Sequence, residues 1–295
     1  MPVIAVVNRK GGCGKSTLAT HLAAWLAGQG HAVMLGDVDR QQSTQGWLRA
    51  RAEHALPGVP IVGWAVDPRR VLRPPAGIGF VVLDTPGGLH GFDLARVVAF
   101  ADVILMPVCQ SRFDRESAAD CHAELAALPR VAGGRCKVAA IGMRLDARTR
   151  AAQALTDWAR ELRLPFIGAL REAQVYVRCI ERGLTLFDLP AQQSAADRAQ
   201  WQSIFDWLDP ALSGVPRPQI RGNVRVVRPE THESSGAAAD PGRIWRSAPP
   251  LAPAPASPRR STAVSTVRAP AAGIARWLSR LGWLSPSPGF LNRHS

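Results

Sequence analysis

Lys10 to Thr17 read KGGCGKST, and these residue types suit the holding of a chain of phosphates. Gly11, Gly12 and Gly14 let backbone N–H groups turn toward an anion with no Cβ in the way, and the backbone of Cys13 joins them. Lys15 can reach β- and γ-phosphates, the Ser16 hydroxyl can ligate Mg²⁺, and Thr17 can donate to an α-phosphate. A helix that starts here adds its partial positive charge. Strict phosphate-loop spacing asks for a glycine at position 9; Arg9 stands there, and a second lysine, Lys10, follows it.

Two later stretches carry carboxylates. In GDVDRQQS, Asp37 and Asp39 alternate off the end of a strand and so differ in direction. One would accept a Mg²⁺-bound water and the other would orient an attacking water, and such positioning is most of what a protein gives to phosphoryl transfer. Ser43 and Thr44 just after them are also suited to cap a helix. In FVVLDTPGG, four apolar residues lead to Asp84, placed for the second shell of Mg²⁺. Gly87 and Gly88 can swing as a γ-phosphate arrives or leaves.

The elements that must position these loops alternate. PVIAVVN, HAVMLGDVD, IGFVVLDTPGG, ADVILMPV, CKVAAIGMRL and PFIGAL read as strands. STLATHLAAWLAGQG reads as a helix with Leu18, Leu22, Trp25 and Leu26 at helical spacing. STQGWLRARAEHAL, DRESAADCHAELAAL and ARTRAAQALTDWARELR read as further helices, and SAADRAQWQSIFDWLD as one closing helix. The alternation predicts an α/β fold, a mostly parallel sheet with helices on both faces. Ligands then sit beyond the carboxyl ends of the strands, where all three loops fall.

Charge and composition divide the chain. Residues 213–295 hold 12 Arg and no Lys against three acidic residues, and 12 of the 24 prolines. Such a segment buries too little apolar surface to offset its ordering entropy. The expectation is a folded domain over 1–212 and a basic, largely disordered tail over 213–295. Within the tail, AGIARWLSRLGWLS (272–285) places Ile274, Trp277, Leu278, Leu281 and Leu284 at helical spacing. Too short to span a bilayer, it suits a membrane surface or a groove on a partner. The first residues run straight into the glycine loop rather than reading as a secretory leader. The five cysteines form no CxxC pair, which reads as free thiols in a cytosolic protein.

Taken together, the motifs resemble those of the ParA/MinD family of deviant Walker A ATPases, whose KGGxGK[ST] pattern KGGCGKST fits at every position. DVDRQQS is similar to the family's DxDPQ segment, with Arg40 in place of Pro. LDTPGG, MPVCQSRFD and LREAQVYVRCIERGLTLFDLP resemble its later blocks, so the likeness runs from about residue 2 to 209. It implies ATP and Mg²⁺ as cofactors and slow hydrolysis that dissolves an ATP-bound homodimer. Lys10 would reach across that dimer to the partner's phosphates, Ser16 and Asp84 match the Mg²⁺ positions, and Asp39 matches the carboxylate that places the hydrolytic water. It further implies a cytoplasmic, nucleoid-associated protein that positions a plasmid, chromosome locus or protein cluster, with a partner that stimulates hydrolysis. Arg171, Arg178 and Arg182 match the region where the family carries DNA-binding arginines; contact there would be sequence-independent and salt-sensitive. Where the family often has Asn near the adenine, this chain has Met143 and Arg144. Other members regulate membrane or polysaccharide-secretion machinery, and metabolic ATP-dependent ligases share the fold.

Overall fold

A stretch with no polar side chain has to be covered on both faces, and Val3–Val6 is buried throughout. In the computed structural model, which describes residues 1–39, 41–65, 77–146 and 149–213, this strand (β1) lies inside a seven-stranded sheet. The other strands are β2 (Val33–Asp37), β3 (Val62–Ala65), β4 (Phe80–Asp84), β5 (Val103–Val108), β6 (Lys137–Leu145) and β7 (Phe166–Arg171). Their order is β3-β2-β4-β1-β5-β6-β7, and every neighbouring pair is parallel. The helices are α1 (Lys15–Gly28), α2 (Ser43–Arg51), α3 (Gly91–Phe100), α4 (Arg112–Ala127), α5 (Pro129–Ala132), α6 (Ala151–Glu161), α7 (Gln174–Glu181), α8 (Ala191–Ala199) and α9 (Gln202–Leu212).

Strand alternation sends residues to two cores. Ile4, Val6, Leu35 and Val82 pack with α1, α7 and α9; Val3, Ala5, Met34 and Val81 pack with α3, α4 and α6. The sheet therefore has helices on both faces, as expected. Leu18, Leu22 and Leu26 of α1 are buried, and half-buried Trp25 stacks on Phe205 with ring centroids 3.8 Å apart.

Some elements depart from the pattern reading. β3 is a four-residue edge strand with a central glycine, a weak signal in any sequence. α3 and α7 are also additional; α7 is short, and Val175, Tyr176 and Cys179 bury one side of it. The single closing helix is two, α8 and α9, separated at Gln200–Trp201. That turn drives Trp201 fully into the core, where its Nε1–H donates to the Tyr176 hydroxyl at 3.0 Å. Tertiary packing overrides local helix preference here.

Among the described residues no helix is long and apolar enough to cross a membrane. The expected basic tail lies, from residue 214 on, outside the described residues, and with it the 272–285 segment.

Candidate functional site

Parallel register fixes where the three loops emerge. Val6 pairs with Asp84, and Asp84 pairs with Asp37, so β1, β4 and β2 end side by side at one level. The Val38 N–H donates to the Asp84 carbonyl at 2.9 Å and joins the second loop to the third.

Between β1 and α1 the chain makes a tight loop. Gly12 and Gly14 take φ of 74° and 91°, left-handed values that a side chain would strain. A Cβ on Gly87 would come within 3.3 Å of the Gly11 Cα, so the third loop rests against the first. Asn8, wholly buried, ties the base of the loop: its Nδ2 donates to the Pro107 carbonyl at 2.7 Å, and its Oδ1 accepts from the Lys10 N–H. Lys15 is 7% exposed, and its Nζ donates to the Lys10 carbonyl at 2.8 Å across the loop. The Cys13 thiol also donates to that carbonyl and is pushed up by burial, which leaves it a packing group.

Arg9 has an evident task. Its guanidinium bonds to Glu124 on α4, and the other oxygen of Glu124 accepts from the Gly91 N–H at 2.5 Å. The Arg9 carbonyl accepts from the Gly88 N–H at 2.6 Å. Lys10 has a looser arrangement, its Nζ lying 3.8 Å from Asp114 Oδ1 with the side chain 46% exposed.

The carboxylates divide their roles. Asp37 is 1% exposed; its Oδ1 accepts from the Asp39 N–H, and its Oδ2 accepts from the Thr44 N–H and hydroxyl at 3.0 and 2.6 Å. Asp37 thus caps α2, the role Ser43 and Thr44 suggested for themselves. Asp39 is half-buried, and its Oδ1 accepts from the Gln41 N–H. Asp84 is 1% exposed and lies close to the Ser16 hydroxyl, and its Oδ1 has no hydrogen-bond partner. Burial pushes its carboxyl up to about 7. A desolvated carboxylate oxygen without a donor is what a divalent cation would satisfy, so Ser16 and Asp84 fit Mg²⁺ better than Asp37 does. No group of three or more His, Cys, Asp and Glu among the described residues could hold a metal alone. A cation here would need phosphate oxygens to complete its shell.

A cavity of about 370 Å³ opens beside Gly12, Gly14 and Thr17, with Met143, Leu170 and Val177 in its wall. A larger one, about 780 Å³ and lined by Trp25, Leu48, Phe187 and Phe205, touches none of the three loops. Its cations are spent: Arg51 pairs with Asp188, and Arg198 donates to the carbonyls of Leu186, Phe187 and Leu189.

The three arginines expected to meet DNA do not act as one set. Arg171 ends β7 with its guanidinium forked onto Asp197, at 2.6 and 3.0 Å, so its charge is neutralised within the fold. Arg178 and Arg182, on and just after α7, are exposed.

A glycine loop opening a helix, a hydroxyl–carboxylate pair beside it and a parallel sheet beneath define a P-loop nucleotide-binding protein. The profile of the CobQ/CobB/MinD/ParA nucleotide-binding domain matches residues 4–187, and the chain belongs to that family. It is 29% identical over 198 residues to maintenance of carboxysome distribution protein A of Halothiobacillus neapolitanus, covering 66% of this chain and 91% of the relative. It is 33% identical over 152 residues to the chromosome-partitioning ATPase Soj of Thermus thermophilus, covering 41% of this chain and 60% of that one. In fold it is similar to the septum site-determining protein MinD of Pyrococcus horikoshii complexed with Mg-ADP, with a TM-score of 0.54 and 16% identity over 72% of this chain and 98% of that one.

Proposed function

We propose that the chain is a slow, Mg²⁺-dependent ATPase that dimerises on binding ATP and uses the cycle to position a cargo. The observation that carries this reading is the meeting of Lys15, Ser16 and the unpartnered Asp84 oxygen at the ends of adjacent strands. Lys15 would exchange the Lys10 carbonyl for β- and γ-phosphate oxygens. Ser16 and Asp84 would hold Mg²⁺, which when bound neutralises charge on the transferring phosphate. Asp39, half-buried at the mouth, would orient the attacking water.

Lys10 supports the dimer. A half-exposed ion pair contributes about 1 kcal/mol or less, so Asp114 restrains it little. Phe113 beside Asp114 is 74% exposed and Phe92 on α3 is 76% exposed, apolar area suited to a second copy. Arg178 and Arg182 would bind duplex DNA through its phosphates, without sequence preference and less strongly as salt rises. Relatives named for carboxysome distribution and chromosome partitioning support a cargo of that kind, reached through a partner that stimulates hydrolysis.

Size-exclusion with ATP and Mg²⁺ tests the reading. The wild-type chain should dimerise and retain duplex DNA with ATP but not ADP, and Lys10→Ala should bind ATP yet stay monomeric. A Lys10→Ala chain that dimerises normally would remove the cross-dimer role. A wild-type chain that ATP leaves monomeric, without turnover, would overturn the proposal as a whole.

A further inference from the structure

The pairing of β6 with β7 slips where the strands pass the glycine loop: Gly142 faces Ala169, but Leu145 faces Arg171. The extra residue is absorbed around Arg144, whose φ of 55° lies in the left-handed region that residues with a side chain seldom adopt. A bulge of this kind re-aims a side chain out of the alternation of its strand. Met143 and Leu145 on either side are buried, whereas Arg144 is exposed.

What the bulge achieves is a crossing. Arg144 Nη1 donates to the Gly12 carbonyl of the glycine loop at 3.4 Å, and Nη2 donates to Glu172 Oε1 at 3.1 Å. Both residues line the 370 Å³ cavity, whose apolar wall comes from Met143, Leu170, Ala173, Val177 and Ile180. Neither contact accounts for the backbone conformation. The first bond is long, and the ion pair is 57% and 60% exposed, the kind that contributes little. Strain that persists beside a ligand cavity points to a role in binding.

We propose that Arg144 clamps the base of the nucleotide: its planar guanidinium covers the ring in this cavity, and Glu172 is the positioning residue that steadies the plane. The inference rests on the nucleotide-binding reading above and adds base recognition to it. A guanidinium is weakly hydrated, flat and fixed in charge, which suits it to stacking on a π-face; an ammonium on a flexible stem cannot replace it there. The apolar wall takes the other face of the ring.

Titration of the full chain with ATP, and separately with inorganic tripolyphosphate, separates the base from the phosphates. Arg144→Ala should weaken ATP binding about five- to tenfold and leave tripolyphosphate unchanged. Arg144→Lys should fail to restore ATP affinity, because charge returns without the plane. Glu172→Ala should produce part of the loss and add nothing on top of Arg144→Ala. Equal weakening of both ligands, full rescue by lysine, or no effect on either would overturn the clamp while leaving the nucleotide reading intact. A wild-type chain that binds neither ligand would overturn the nucleotide reading itself.

Discussion

At its first turn α1 faces charged loops, and further along it faces an aromatic box, and the two ends treat polar atoms in opposite ways. In the box nothing is left over. His21 is wholly buried between Trp201, stacked at 5.4 Å, and Tyr176, tilted at 5.2 Å. Its Nδ1 meets the Thr17 carbonyl at 2.8 Å and its Nε2 meets the Leu186 N–H at 3.3 Å, which fixes the neutral ring with the proton on Nδ1. At the loops an Asp84 oxygen and the Arg9 Nε lack partners, and Lys10 is loosely held. Full satisfaction makes a region rigid, while incomplete satisfaction leaves it ready for a ligand. The contrast predicts that changes in the box damage stability, and changes at the loops damage turnover.

Trp201→Ala should break the rigid side first, with a loss of about 4 kcal/mol. It empties a fully buried site and strips the Tyr176 hydroxyl of its donor. Thermal unfolding checks it; a midpoint within a degree or two of wild type would mean that the box is not what braces α1.

Asp39→Ala should do the reverse, lowering turnover on the order of a hundredfold with ATP affinity and melting temperature near wild type. Phosphate release and nucleotide titration together decide it. Unchanged turnover would pass the water-orienting role elsewhere.

The smallest expected effect sharpens the comparison through pH. Burial pushes His21 down to about 4 from the ordinary 6.5. Between those values the unfolded chain binds a proton that the fold refuses, so stability is full above pH 6.5 and is lost as pH falls toward 4. By pH 5 the loss should be about 2 kcal/mol. Urea unfolding at pH 7 and pH 5 measures it, and His21→Asn should flatten that part of the slope; an equal slope in the variant would assign the dependence to other groups.

The phosphate side of the site is legible because its chemistry restricts residue type. Few residues but glycine tolerate the φ of Gly12 and Gly14, and Lys15, Ser16 and Asp84 follow in an order that strand and helix alternation explains. What depends on distant pairing is not legible. Asn8 matters through the Pro107 carbonyl, 99 residues away. Arg171 reads as part of a basic face until Asp197 is found against it, and Arg144 reads as a departure until the bulge turns it to the loop. The division at Trp201 follows from its packing against His21 of α1 and Tyr176 of α7, which no local window contains.

The Arg9–Glu124–Gly91 connection has a consequence for timing. Glu124 holds the Gly91 N–H and the Arg9 guanidinium, while the Arg9 carbonyl holds the Gly88 N–H. The Gly88 amide is thereby fastened to Arg9, and the Gly91 amide at the start of α3 to the Glu124 that Arg9 holds. To expose either to solvent, the same brace has to release, so Gly88 and Gly91 should exchange their amide hydrogens at a common rate. Glu124→Gln should speed the two together. A residue that occupies the place of a glycine would in that case set the clock by which the phosphate loop and the segment below it open as one.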